Sequence, residues 1–340
     1  MTTTTGPTAA APVTGEQLPG RPRPAASPRQ RPDTSDERCR HGRGTPRLLP
    51  PDFADYRALR LVREHRCTRV YRGIGTDGQA VAVKTVCADA SAPALARVGN
   101  EADVLSHLAG LAFVPRLTRT GSHGPFTFLV SEWRTGVTLD DLTKHLDVSL
   151  ADRSPAAAEA FGDLALALST AFRLLHQHGV VHGDINSGNV LVSDSGVTVI
   201  DFDSATFTGH DRTPPTGISW KYTAGYAAPE RLTPRPAPPQ PASDQYALAA
   251  LLYRLAEQRH HVHPHGTPQD LVRRASRPLP PLTRWPVHHW PRLQHVLTRA
   301  LSHHPADRYP TLAAFDHALA TALLLPAAGC NSHHTKDHSR

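Results

Sequence analysis

Cysteine is scarce: the 340 residues hold four, Cys39, Cys67, Cys87 and Cys330, with no paired spacing. Two of them sit in or near predicted strands, and the set reads as reduced cytosolic thiols. No apolar run is long enough to span a bilayer; "ALATALLLPAAG" is too short. The opening "MTTTTGPTAAAPVTGEQLPG" lacks a basic stretch followed by an apolar one, so it does not read as a signal peptide. No block of like charge is present either. Net charge is +7 and the isoelectric point about 9.5. Lys and Arg are nevertheless scattered, which implies mild attraction to anions such as nucleotide phosphate or acidic partners. With no recognition motif and no internal repeat, the expectation is a cytoplasmic protein with no membrane and no nucleic-acid partner.

What is present divides the chain into three parts. Residues 1–52 are rich in Thr, Pro, Ala and Arg and poor in large apolar side chains, and are predicted to be a disordered tail. Residues 326–340 are predicted to be a second loose tail. Between them, residues 53–135 read as strand-rich, with "QAVAVKTV" and "FTFLVSEW" as strands and one helix in "NEADVLSHLAG". Residues 136–325 read as helical. In "AAAEAFGDLALALSTAFRLLHQHG" Phe161, Leu164, Leu168, Phe172 and Leu175 fall at spacings of three and four, and Gly179 closes the helix. "SDQYALAALLYRLAEQ" is apolar on most sides and reads as a central helix; "WPRLQHVLTRAL" and "TLAAFDHALATALL" are two more. The expected fold class is α+β, two-lobed, with a small β-rich lobe, a hinge near residues 132–136 and a larger helical lobe; a cleft between lobes is a usual ligand site.

Polar chemistry concentrates in "VVHGDINSGNVLV", residues 180–192. A hairpin turn needs only a few residues, yet here a whole polar loop intervenes. It is followed by "VLVSDSGVTVIDFD", whose tight turn and second strand deliver Asp201 close to Asp184 and Asn189. Two carboxylates and an amide oxygen are hard ligands that suit Mg²⁺ rather than zinc; the bland reading is an ordinary polar turn. "AVAVK" puts Lys84 and the small Ala82 on one face of a strand. Such a face lets a flat ring pass and sets an ammonium on phosphate. Glu101, read as opening its helix, can pair with Lys84. "HHVHPH" reads as a His-rich loop rather than a metal site, because no Cys or acid completes it.

In order along the chain, these motifs resemble the eukaryotic-type protein kinase domain, in particular that of bacterial Ser/Thr kinases, over roughly residues 55–320. "VAVK" resembles the strand motif with the nucleotide Lys, and Glu101 matches its helix partner. "HGDINSGN" resembles the catalytic loop, "DFD" the D-F-G triplet, and "APE" is A-P-E itself. Asp244 falls in the following central helix, and Arg308 matches the residue that pairs with the Glu of A-P-E, here Glu230. The resemblance implies ATP and Mg²⁺ as cofactors and a Ser/Thr hydroxyl of a protein substrate as acceptor. It implies Asp184 as proton acceptor, Asn189 and Asp201 as metal ligands, and Lys84, fixed by Glu101, on the α- and β-phosphates. Val70, Ala82 and Leu191 are expected to sandwich adenine, which meets backbone groups of Glu132 and Arg134 with Ser131 as gatekeeper. Thr223 is expected to contact the catalytic Asp, and Asn186 stands where Ser/Thr kinases carry Lys.

The departures are as specific as the matches. The three positions of the glycine-rich phosphate loop hold Arg63, His65 and Thr68. Arg63, Arg66 and Arg69 are candidates to take over its phosphate contacts. Gly183 replaces the Arg that reads a phosphate on the activation loop, and Asp203 replaces the Gly of D-F-G. Two rival readings follow: a small-molecule or modification-pathway phosphotransferase, from "HGD" and Asn186, and a pseudokinase scaffold, from the missing glycines.

Overall fold

Val81 and Val83 are buried on one face of a strand whose other face carries Ala82 and Lys84. That alternation sets the smaller lobe. In the computed structural model, which describes residue 1 and residues 55–65, 67–87, 90–123, 126–146, 155–209, 220–233, 236–283 and 290–324, five antiparallel strands run in the order β1-β2-β3-β5-β4. They are β1 (Arg57–His65), β2 (Thr68–Ile74), β3 (Ala80–Cys87), β4 (Leu117–His123) and β5 (Phe126–Glu132). Val81 and Val83 join Tyr71, Phe128 and Val130 in one small core, closed by Tyr56, Leu59 and Leu61. On the opposite face, register places Lys84 between Val70 and Leu129, and Ala82 between Arg72 and Ser131.

Helix α1 (Ala92–His107) packs across that second face and buries Val98, Val104 and Leu105. It starts earlier than expected. Pro93 in its first turn needs no hydrogen-bonding partner for a missing N–H, so the helix begins behind Ser91, and Glu101 lies well inside it rather than at its start.

The larger lobe is helical: α2 (Leu139–Leu146), α3 (Pro155–Gln177), α4 (Pro241–Glu257), α5 (Pro268–Ala275), α6 (Leu293–Ala300) and α7 (Leu312–Leu324). The stripe on α3 is buried at Phe161, Leu168, Phe172 and Leu175, and Gly179 turns the chain out of the helix with φ of 71°. Nearly every residue of α4 is buried, which makes it the central helix of this lobe. Short strands carry the polar loop: β6 (Val137–Thr138), β8 (Val190–Ser193) and β9 (Gly196–Val199) form one sheet, and β7 (Val180–Val181) pairs with β10 (Thr206–Phe207). The architecture is the expected two-lobed α+β fold.

All described residues from 55 onward fall in one compact unit. The tails expected at 1–52 and 326–340 lie outside the described residues. The expectation of reduced thiols fails at Cys67, which is disulfide-bonded, whereas Cys87 is free. Cys67 occupies the turn between β1 and β2, half-buried against the main core. No helix of the described residues is long and apolar enough to cross a membrane.

Candidate active site

The polar loop occupies the space between β7 and β8, and its shape is fixed by backbone capture. Asp244, at the buried start of α4, accepts from the backbone N–H of His182 at 2.7 Å and of Gly183 at 2.9 Å, and faces His176 Nε2 at 3.0 Å. Burial works to raise the Asp244 carboxyl, but the His176 contact and these neighbours outweigh it and hold it low. Gly183 has φ of 81°, and a Cβ there would lie 2.2 Å from the Ser204 carbonyl oxygen. Only glycine fits. The absence of an Arg at this position therefore has a steric cause within this backbone.

Beyond Gly183 the loop closes on itself. Asn189 and Asn186 each donate from Nδ2 to the Asp184 carbonyl at 3.0 Å. Asn186 Oδ1 caps a single 3₁₀ turn, Ser187–Asn189, by accepting from Gly188 N–H at 2.8 Å. The second Nδ2 hydrogen of Asn186 goes to Thr223 Oγ1 at 3.1 Å, and Thr223 donates its own backbone N–H to Asp184 Oδ1 at 2.9 Å. Asp184 is thus held from both sides. Burial pushes its carboxyl up, partly offset by the Thr223 bond.

The strand side of the cleft carries the charges. Lys84 Nζ lies 2.5 Å from Glu101 Oε2 and 2.6 Å from Asp201 Oδ1. Burial works against the Lys84 charge, but Asp201 and Glu101 outweigh it and hold the ammonium well above the usual lysine range. Burial likewise works to raise Asp201, yet the Lys84 charge beside it holds that carboxyl down at about 2. Glu101 is deeper, and burial pushes it up against the pull of Lys84. Asp201 adopts φ of 64° and ψ of 68°, left-handed backbone that a non-glycine residue holds only against strain. The following residues are tied to α1: Asn100 Nδ2 donates to the Ala205 carbonyl at 2.8 Å, and Arg97 Nε lies 3.8 Å from Asp203 Oδ2.

These groups open on a cavity of about 440 Å³ between the lobes, within the range of small-ligand sites. Val70, Ala82, Lys84, Glu132, Arg134 and Leu191 all line it, as do Glu101, Ser131 and Asp201. Asp184 and Thr223 line a separate small pocket, and neither Asn186 nor Asn189 lines the main cavity. The Arg134 side chain turns away to donate to the Val114 carbonyl at 3.0 Å, so that residue faces the cavity through other atoms.

Arg63, His65 and Thr68 of the glycine-free hairpin also line the cavity. The three arginines expected there do not act alike. Arg69 donates from Nε to Glu64 Oε1 at 2.8 Å and is engaged on the strand; Arg66 lies outside the described residues. In the His-rich loop, His261 Nε2 lies 2.8 Å from Tyr246 Oη, and His260 stacks edge-on against Tyr226.

Two residues emerge that the motifs did not single out. Arg231, directly after A-P-E and buried, donates to the backbone carbonyls of Lys221 at 2.9 Å and of Ala237. Lys221 lines the main cavity with its side chain 3.7 Å from Asp203. Their partners are backbone carbonyls and a distant carboxylate, which leave no local pattern.

Comparison with known proteins agrees with this geometry. The model of the protein kinase domain matches residues 64–319. The chain is similar to serine/threonine-protein kinase PknB of Mycolicibacterium smegmatis, 31% identical over 64% of this chain and 34% of the relative. It is similar to serine/threonine-protein kinase Pkn1 of Myxococcus xanthus, 34% identical over 50% of this chain and 25% of the relative. It is also similar to serine/threonine-protein kinase PknK of Mycobacterium tuberculosis, 28% identical over 69% of this chain and 20% of the relative. The chain therefore spans about a third or less of the length of these relatives. With a matching model over most of the chain, this chain belongs to the protein kinase domain family.

Proposed function

We propose that this chain is a Ser/Thr protein kinase that transfers the γ-phosphoryl group of ATP to a hydroxyl of a protein substrate, with Mg²⁺. The observation that carries the reading is that Lys84, Glu101 and Asp201, from three separate segments, meet on one interlobe cavity, while Asn189 is bonded to the backbone of Asp184 in the polar loop. The catalytic domain covers residues 53–325, with lobes 53–135 and 136–325 and a tail on either side, and acts in the cytoplasm.

The residues fit the metal. Asn189 turns its Nδ2 to the Asp184 carbonyl at 3.0 Å, which leaves Oδ1 as a neutral oxygen donor. Asp201 gives one oxygen to Lys84 at 2.6 Å, and among the described residues the other has no hydrogen-bond partner. One carboxylate plus one amide suits Mg²⁺, which takes its remaining ligands from phosphate and water. When bound, Mg²⁺ neutralises charge on the phosphates.

The protein's own groups do the rest. Lys84, kept charged by Glu101 and Asp201, holds the α- and β-phosphates. Val70 and Ala82 cover one face of adenine and Leu191 the other, with Glu132 and Arg134 supplying backbone groups. Asp184 accepts the acceptor hydroxyl proton. Its raised affinity for a proton suits that task, and Asn186 and Thr223 fix its orientation.

The test is transfer of labelled phosphate from ATP to casein and to a panel of small hydroxyl compounds. Transfer to casein by wild type, lost by a hundredfold or more in Asp184→Asn with ATP affinity within about twofold, is the expected result. Transfer to small compounds alone would replace the protein substrate, and absence of nucleotide binding would overturn the reading.

A further inference from the structure

Asn186 cannot serve as a phosphate ligand in this arrangement. Its Nδ2 is spent on the Asp184 carbonyl and Thr223 Oγ1, its Oδ1 on Gly188 N–H, and it is buried and uncharged. Phosphoryl transfer depends on neutralising the charge of the moving group, so the acceptor side of the cleft lacks a cation from the catalytic loop.

The cations lining the cavity differ in how they are held. Lys84 is fixed between two carboxylates, Arg134 is turned toward the Val114 carbonyl and Glu132, and Arg63 reaches the cavity from β1. Lys221 combines a fixed base with a loose tip. Its carbonyl accepts from buried Arg231 at 2.9 Å, and two residues later Thr223 is bonded to Asp184. Its ammonium is 3.7 Å from Asp203 Oδ2, beyond hydrogen-bond distance, and the side chain is about one-third exposed. Asp203 also has Arg97 at 3.8 Å, so moving Lys221 away leaves that carboxylate with a cation beside it.

We propose that Lys221 is the cation that contacts the terminal phosphate of ATP beside Asp184, in the place that Asn186 leaves uncharged. The proposal rests on the phosphotransferase reading above. Lysine suits the role as a compact charge on a flexible stem. The competing role is structural: Lys221 holds Asp203 and touches no nucleotide.

Affinities of wild type, Lys221→Met and Lys221→Arg for Mg·ATP, Mg·ADP and adenosine, by calorimetry at one salt concentration, separate the two. The expected result is a loss of about tenfold or more for ATP in Lys221→Met, less than about threefold for ADP and adenosine, and substantial recovery in Lys221→Arg. Equal losses for all three ligands, or none, overturn the proposal. Wild type that binds no ATP overturns both this proposal and the kinase reading; wild type that binds ATP while Lys221→Met is unchanged overturns this one alone. Should the variants fail to fold, an acyl-phosphate derivative of ATP, whose acyl group passes to a neighbouring amine with release of ATP, reads the same contact in the unmutated protein. Mass spectrometry is expected to find ATP-protected acylation at Lys221 as well as Lys84. Acylation at Lys84 only overturns the proposal.

Discussion

Arg308 and Glu230 meet through two hydrogen bonds of 2.8 Å, although 78 residues separate them. Arg308 is fully buried and spends its remaining donors on the carbonyls of Ala242, Ser302 and His303. The pair fastens the end of the A-P-E segment to the loop before α7, and so fixes the chain that presents Thr223 and Lys221.

Removing the guanidinium orphans three carbonyls and a carboxylate together. Arg308→Met is expected to cost about 3–5 kcal/mol of stability. Glu230 is partly exposed and can be hydrated, but Glu230→Gln leaves the buried charge without its carboxylate, and about 2 kcal/mol is expected. Urea unfolding with an unchanged slope is the measurement. A loss below 1 kcal/mol for Arg308→Met would show that the pair is not a structural tie.

Asp201→Asn tests the metal side. The substitution removes the charge that would hold the ion, and it also removes one of the two carboxylates around Lys84. Mg²⁺-dependent ATP affinity is expected to fall tenfold or more, whereas adenosine affinity stays within about twofold. Titration of ATP with and without Mg²⁺ distinguishes a lost ligand from a general loss of binding.

Much of this was legible in the sequence because it is local or ordered. The period of two in "AVAVK" gives the face of Lys84, and the stripe from Phe161 to Leu175 gives the buried side of α3. The cleft lining could be anticipated because the motifs occur in a known order. What depends on distant backbone could not. Nothing near Gly183 announces the Ser204 carbonyl that excludes a side chain there, and nothing near Arg231 announces the Lys221 carbonyl. α1 begins ahead of "NEADVLSHLAG", the stretch read as helix, because Pro is accommodated in its first turn. Spacing also could not separate Arg63 from Arg69, since their fates depend on which neighbour each strand offers.

Acid should weaken the fold through the His-rich loop. Burial depresses His260 to about 4 and His261 to about 3. In the unfolded chain each titrates near 6.5. Between those values the unfolded state binds more protons than the folded one, so stability falls as pH drops from about 6.5 toward 4. The thermal midpoint is expected to decline over that window. The double variant His260→Gln/His261→Gln, which has no proton to gain at either position, should show a flatter decline. An identical slope in the two proteins would place the acid sensitivity elsewhere.

Arg63 and Arg69 give the last prediction, and the structure separates them. In a glycine-rich loop the backbone N–H groups approach phosphate closely; here Cβ atoms at Arg63, His65 and Thr68 stand in the way. Side chains must then supply the contact. Arg69 is committed to Glu64 at 2.8 Å, pairing across the hairpin in register with it. Arg63 lines the cavity and is close enough to Asp201 for its charge to help hold that carboxyl low. A guanidinium there can meet phosphate through paired donors. Arg63→Ala is therefore expected to weaken ATP binding about tenfold, as one charge-assisted hydrogen bond is worth roughly 1.5–3 kcal/mol, with adenosine affinity nearly unchanged. Arg69→Ala should leave both ligands within about twofold. Calorimetry at a single salt concentration makes the comparison. Equal, small effects from the two variants would show that both arginines only add to the positive surface, and that this hairpin does not touch phosphate through its side chains.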